Sequence, residues 1–248
     1  MTTTDPTAVL LVSHGSRDPR AAHVVAGLVA AVAERTCREV RAAHLDFTAP
    51  TPDIALRDLA NDGFRSVRVV PLLFAPGHHM THDVPLAVTA SGVTDRMDIS
   101  VAPPLLASGR RARELLLTAL ADRLTQAGAD GQVDCLVLAS AGSGSGTARR
   151  HVERLARDLA HARGIPVLPA FASAVTPSPA QALEALSDTG FRRPAIASLF
   201  VAPGRLPDSV VASCPDVPVA DPLGVSRVFV ELLVAQTRAL SAVQPAGR

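Results

Sequence analysis

The three cysteines, Cys37, Cys135 and Cys214, are far apart in sequence, and no C-x-x-C pair occurs. A disulfide framework and a cysteine zinc knuckle are thereby excluded, and the thiols are expected to be inert. Also missing is any run of about eighteen consecutive apolar residues, the length a membrane-spanning helix needs, although 48% of the chain is apolar. The N-terminus, Met1-Thr2-Thr3-Thr4-Asp5-Pro6, has no basic segment ahead of a long apolar core. Ala8–Val12 is too short for a signal core and reads as a strand, so a cytoplasmic location is expected and no membrane partner. Charge of one sign is lacking too: 24 basic and 23 acidic residues leave a formal net charge of +1. That balance argues against a nucleic-acid partner and leaves recognition of an anionic small molecule to local arginines. The glycine-rich loop Ser140–Thr147 lacks the lysine of a P-loop and the spacing of a dinucleotide fingerprint, and it reads as a turn. A substrate carboxylate at the helix N-terminus behind it is the functional alternative.

What is present is a repeat. Pro50 and Pro52 recur as Pro177 and Pro179, Gly63-Phe64-Arg65 as Gly190-Phe191-Arg192, and Ala75-Pro76-Gly77 as Ala202-Pro203-Gly204, each at an offset of 127. An unbroken offset implies a duplicated fold unit without insertions in that stretch. The chain of 248 residues is thus expected to form two similar domains, 1–127 and 128–248, with the boundary in the glycine-containing stretch 126–132. The offset also exposes what one copy lacks: His14 corresponds to Ala141, Asp46 to Ser173 and His79 to Leu206. Turn residues are kept while ionisable groups are not, so the first domain is expected to carry the working site and the second a degenerate one.

Each copy alternates short apolar runs with amphipathic segments. In the first, strands are predicted at 9–13, 40–47, 67–74 and 99–102, with helices at 21–35, 52–61, one starting near His82, and 110–126. In the second, strands are predicted at 135–139, 167–172, 195–201 and 217–220, with helices at 148–163, 180–187 and 226–243. This alternation predicts an α/β fold of two parallel sheets with helices on both faces, whose ligands bind beyond the carboxyl ends of the strands. His14, Asp46 and His79 all fall at that edge. The spacing breaks once: Gly77 to Pro104 is 27 positions and Gly204 to Pro222 is 18, so the first copy is nine residues longer there. The longer version carries His78, His79, His82 and Asp83, as expected of a loop elaborated for chemistry.

Imidazoles suit first-row divalent metals, and a neutral histidine at a strand end can ligate one or accept a proton. His14 and His79 are therefore the candidate metal ligands. Asp83, four residues after His79, could orient its ring. Asp46 is a carboxylate in an otherwise apolar strand, where burial without a partner is costly, so a site role or a hydrogen bond to a neighbouring turn is expected. His44 is a minor candidate on the same strand face, and His78 and His82 are read as solvent-exposed.

The motifs Leu11-Val12-Ser13-His14-Gly15-Ser16-Arg17, Leu45-Asp46-Phe47-x-x-Pro50 and Val70-Pro71-Leu72-Leu73-Phe74-Ala75-Pro76-Gly77-x-His79-x-x-x-Asp83-Val84-Pro85 resemble the class II tetrapyrrole chelatases, the sirohydrochlorin cobalt/ferrochelatase family. The resemblance covers both halves, as in the long two-domain form. It implies ATP-independent insertion of Fe2+ or Co2+ into sirohydrochlorin for siroheme or cobalamin biosynthesis, with no cofactor beyond the metal substrate. His14 and His79 would bind the ion and face the macrocycle, and Asp46 would assist proton removal; the family usually has glutamate there. The substrate is polyanionic, so Arg17, Arg20 and Arg96, with Asp83, are candidates for contacting it. A non-catalytic metal or tetrapyrrole carrier would keep the same ligands. A histidine-phosphatase reading lacks its arginine, because Ser13 precedes His14.

Overall fold

The computed structural model describes residues 7–129, 131, 133–173 and 175–238. The first half runs β1 (Thr7–Ser13), α1 (Pro19–Thr36), β2 (Val40–His44), α2 (Pro52–Asn61), β3 (Ser66–Pro71), a π-helical turn (His79–Asp83), α3 (Val84–Ala90), β4 (Asp98–Val101) and α4 (Gly109–Gln126). The second runs β5 (Cys135–Ser140), α5 (Gly146–Arg163), β6 (Val167–Phe171), α6 (Pro179–Asp188), β7 (Pro194–Leu199), α7 (Arg205–Ser213) and α8 (Arg227–Arg238). All strand pairs are parallel, in the orders β2-β1-β3-β4 and β6-β5-β7. Among the described residues, no helix is long and apolar enough to cross a membrane.

Local chemistry explains the elements. Asp18 caps α1 by accepting from the Arg20 amide, and Pro19 opens the helix with its φ already fixed. Ala21, Val25, Leu28 and Val32 then recur at helical spacing and are buried. Cys37, in a left-handed conformation, closes the helix through its N–H to the Ala33 carbonyl. β1 is apolar on both faces because both are covered. Val9 and Leu11 pack with α1 and the closing helices, whereas Ala8, Leu10 and Val12 pack with α2 and α3.

The repeat extends to strand register. Val9 pairs with Val40 and Arg68, and their counterparts Leu136, Val167 and Ala195 pair in the same way. Cis peptides at Ala49–Pro50 and Thr176–Pro177 obey the same offset. The contacts are also reciprocal: a Cβ built on Gly77 would lie 3.7 Å from Ser143 Oγ, and one on Gly204 would lie 3.8 Å from Ser16 Oγ. Ser16 and Ser143 are themselves 127 apart, so the two halves face one another about a pseudo-twofold axis.

The closing helices are exchanged. α4 packs on α5 and β7 of the other half, and α8 packs on α1 and β3. One apolar core therefore runs through both halves, joining Val9, Leu11 and Leu116 to Leu136, Leu138, Phe229 and Leu233. This shared core crosses the expected division at 127/128, while Leu10, Leu56 and Val69 in the first half and Val137, Ile196 and Val210 in the second belong to separate clusters. Arg68 Nε, donating to the Gln236 carbonyl at 3.1 Å, fastens α8 onto β3.

The structure differs from expectation in several places. The expected strand at 217–220 is a single bridge, Ile196 to Val219; Pro215 and Pro218 supply no amide donors, so a ladder cannot grow there. β2 stops at His44, and Asp46 lies in the loop beyond it. β3 stops at Pro71, leaving His79 eight residues further on, at the start of the π-helical turn. α7 was not foreseen; its nine residues are too few for a clear period. The predicted final helix reaches 243, and 239–243 lie outside the described residues. Cys135 and Cys214 are buried, and burial pushes the Cys135 thiol up to about 12, consistent with inert thiols there, whereas Cys37 is exposed.

Candidate active site

The loops after β1 and β2 lie against each other, held by Leu45 N–H to the Ser13 carbonyl (3.0 Å) and Asp46 N–H to the His14 carbonyl (2.8 Å). Only glycine fits at position 15: its φ is +94°, and a Cβ would fall 1.8 Å from the Asp46 carbonyl oxygen. This contact sets His14 beside Asp46, with His14 Nδ1 3.9 Å from Asp46 Oδ2 and both side chains half-exposed. Asp46 thus carries no penalty for a buried charge, contrary to the expectation of a carboxylate inside an apolar strand.

His79 comes from the π-helical turn. Its ring meets that of His14 edge-on, centroids 4.4 Å apart, and its Nδ1 is 2.6 Å from Asp83 Oδ2. A carboxylate only accepts, so Nδ1 carries the proton and Nε2 keeps its lone pair for a ligand. Hydrogen bonds from His82 and His79 hold the Asp83 carboxyl below the usual carboxylate range. One ligand atom from each of His14, Asp46 and His79 falls within 4.8 Å of the others, which is compatible with a shared divalent ion. His44 is buried, with its Nδ1 2.7 Å from Ser13 Oγ. Burial lowers its pKa, so it stands as a neutral prop beneath the His14 loop.

His14 and His79 open on a cleft of about 1350 Å³ lined by both halves, larger than ordinary small-molecule sites of about 300–1,000 Å³. The wall opposite His14 and His79 includes Ser143, Leu199, Pro203 and Leu206 of the second half. There the backbone is copied and the chemistry is not. Ser173 N–H donates to the Ala141 carbonyl (3.0 Å) as Asp46 does to His14, yet Ala141, Ser173 and Leu206 offer no imidazole or carboxylate. The Ser140–Thr147 loop is an ordered helix entry, with Ser145 accepting from the Ala148 amide at 3.4 Å.

The expected substrate-contacting residues separate. Arg17 lines the cleft, with its guanidinium 5.1 Å from the centre of the Phe47 ring. Arg20 is instead held by Asp18 (2.6 Å) and by Asp208 of α7, tying the two halves together. Arg96 bonds Asn61 and lies outside the cleft. Asp83 is engaged with histidines. Three cleft residues were not anticipated: Arg149 and Arg205 from the second half, and Phe47. Phe47 has φ +64° and is 60% exposed, in a chain with no tryptophan or tyrosine. Its ring lies parallel to that of His14, 5.9 Å away. A bulky side chain at positive φ is a strained arrangement. The adjacency of Phe47 to Asp46 was the only trace of this in the sequence.

The CbiX family model matches residues 8–127 and 135–240. Sirohydrochlorin cobaltochelatases are similar in sequence. That of Saccharolobus islandicus is 35% identical over 105 residues (39% of this chain, 80% of that protein), and that of Methanococcoides burtonii 32% over 94 (38% and 72%). Against the Methanococcus maripaludis enzyme the identity is 32% over 79 residues (32% of this chain), and the chain spans only 55% of that relative's length. Two solved structures share the fold: SirB from Bacillus subtilis with Fe3+ (TM-score 0.76, 22% identity, 94% of each chain), and CbiX, described as the terminal enzyme for biosynthesis of siroheme in denitrifying bacteria (TM-score 0.69, 22% identity, 94% and 100%).

Proposed function

Because the chain belongs to the CbiX family, we propose that it is a metal chelatase inserting Fe2+ or Co2+ into sirohydrochlorin without ATP. The observation that carries this reading is the meeting of His14 and His79 on one side of a cleft of macrocycle size, with Asp46 against His14 and no such groups at the matching positions opposite. The metal is a substrate here. Two imidazoles and a half-exposed carboxylate make an incomplete coordination set, so the ion can be surrendered to four pyrrole nitrogens. Insertion releases two pyrrole N–H protons; Asp83 is engaged by His79, whereas Asp46, half-exposed and 3.9 Å from His14, is the carboxylate able to take one and pass it to solvent.

The remaining cleft residues fit a flat polyanion. The exposed Phe47 ring offers an apolar face on which a macrocycle can rest. The chain contains no lysine, so its fixed side-chain cations are all arginines, which bind carboxylates through paired donors. Arg17, Arg149 and Arg205 meet the substrate periphery from both halves, and Arg20 acts as a tie between them. The second half serves as the wall.

An insertion assay with sirohydrochlorin and Fe2+ or Co2+ offered separately tests the reading. The wild-type chain accelerates insertion over the spontaneous rate, and His14→Ala and His79→Ala each nearly abolish that acceleration with the circular dichroism spectrum unchanged. Binding of metal and macrocycle without acceleration would make the protein a carrier instead.

A further inference from the structure

The π-helical turn does more than present His79. In an α-helix, side chains three or four residues apart share a face, whereas a π turn closes i to i+5 hydrogen bonds. Here the Val84 N–H reaches the His79 carbonyl, five residues back. The wider turn gathers three imidazoles around one carboxylate. Asp83 Oδ2 faces His79. Asp83 Oδ1 faces away from that contact, toward His82 Nδ1 at 3.0 Å and His78 Nε2 at 3.7 Å. The His78 and His82 rings stand side by side, 4.8 Å apart and 17° from parallel. One ligand atom from each of His78, His82 and Asp83 lies within 4.8 Å of the other two. Both imidazoles are well exposed, with side chains 73% and 60% accessible.

We propose that His78, His82 and Asp83 form a second divalent-metal site on the outer side of the turn, next to the His14–His79 pair and distinct from it. Two imidazoles and one carboxylate suit iron, cobalt, nickel or zinc. Three protein ligands at a solvent-facing position leave coordination places to water, so the ion is held loosely and exchanges readily. Asp83 links the two sites: Oδ1 would ligate the outer ion, while Oδ2 accepts from His79 and orients that ring at the inner pair. An ion on the outer face withdraws electron density from the carboxylate that holds His79, so occupancy of one site alters affinity at the other. The segment exists only in the longer first copy. At the equivalent of His78 the second copy has Arg205, and its short helix α7 carries no histidine.

The inference goes beyond the insertion reading and does not depend on it, because its test uses Co2+ alone. The full-length chain is titrated with Co2+ at neutral pH, followed by calorimetry and by the visible absorption of the bound ion. Two variants are compared with the wild type: His78→Ala with His82→Ala, and His14→Ala with His79→Ala. The wild type binds two ions of unequal affinity. The first double variant loses the weaker one, by at least tenfold in affinity, and the second retains it. A single ion in the wild type, or a weaker site unmoved by His78→Ala with His82→Ala, overturns the proposal. So does loss of both ions from the His14/His79 variant, which would make the outer cluster a dependent extension of the inner pair. Failure of macrocycle insertion leaves these readings unchanged and bears only on the proposed activity.

Discussion

Replacing Gly15 by alanine tests the link between backbone and site, and the duplication supplies a control for it. At Gly15 the added Cβ would lie 1.8 Å from the Asp46 carbonyl oxygen; at Gly142 it would lie 2.0 Å from that of Ser173. The φ angles are +94° and +97°. Real Cβ atoms stay at least about 3.0 Å from such a neighbour, so in both variants the facing loop must retreat by an ångström or more. A positive φ costs a residue bearing a Cβ about 1–2 kcal/mol. Each of the two interloop hydrogen bonds, to Ser13 and His14 in one copy and to Ser140 and Ala141 in the other, is worth about 1 kcal/mol. The two variants should therefore lose similar stability, roughly 2–4 kcal/mol, leaving a folded protein if the parent has about 5–15 kcal/mol. Their activities should diverge. Gly15→Ala displaces Asp46 from His14 and should slow insertion on the order of 100-fold, the cost of misplacing a reacting group by about 1 Å. Gly142→Ala moves a loop whose side chains are Ala141 and Ser173, and activity should stay within a few-fold of the parent. Urea unfolding and insertion rates are measured on both. Equal losses of activity at equal losses of stability, or full activity in a destabilised Gly15→Ala, would refute the assignment of the site to the first copy.

Asp83→Asn keeps the shape but weakens the 2.6 Å contact to His79, and Co2+ affinity at the inner pair should fall about 10- to 100-fold, as for other groups that orient a ligand. Asp46→Asn should slow insertion more than it weakens macrocycle binding, while Asp46→Glu retains substantial activity; an Asn variant as fast as the parent would make the carboxylate structural. Leu206→His should create no second site, because Ala141 and Ser173 remain and the loop stays nine residues short; Co2+ stoichiometry and insertion rate should both match the parent. Burial lowers the pKa of His44, so below its unfolded value of about 6.5 the unfolded chain binds a proton that the folded chain refuses. Its contribution to stability is complete above that pH and is lost as pH falls through the lowered folded value. Urea midpoints at pH 8 and pH 5.5 should therefore differ less in His44→Gln than in the parent.

Much of this was legible in the sequence because a constant offset preserves backbone geometry. Glycine at 15 and 142 and glycine at 63 and 190 occupy the same positive φ in both copies, so conserved turns could be told apart from lost chemistry by comparing the chain with itself. The apolar runs fixed the parallel strands, and strand ends placed His14, Asp46 and His79 on one edge. The sequence could not say which sheet each closing helix would cover. The apolar faces of α4 and α8 are interchangeable as far as burial is concerned, since hydrophobic contact has no direction. Their exchange between halves was settled by the fit of the whole core. The same holds for polar partners distant in the chain: Arg20 looked available for a substrate until Asp208 of α7 came within reach of it. Phe47 and the His78–His82 pair likewise acquired meaning only in space, one from the loop that turns its ring toward His14, the other from a π turn that brings both imidazoles to a single carboxylate. Periodicity and self-comparison read what is local or repeated. Long-range pairing depends on which surfaces meet, and that is decided when the chain packs.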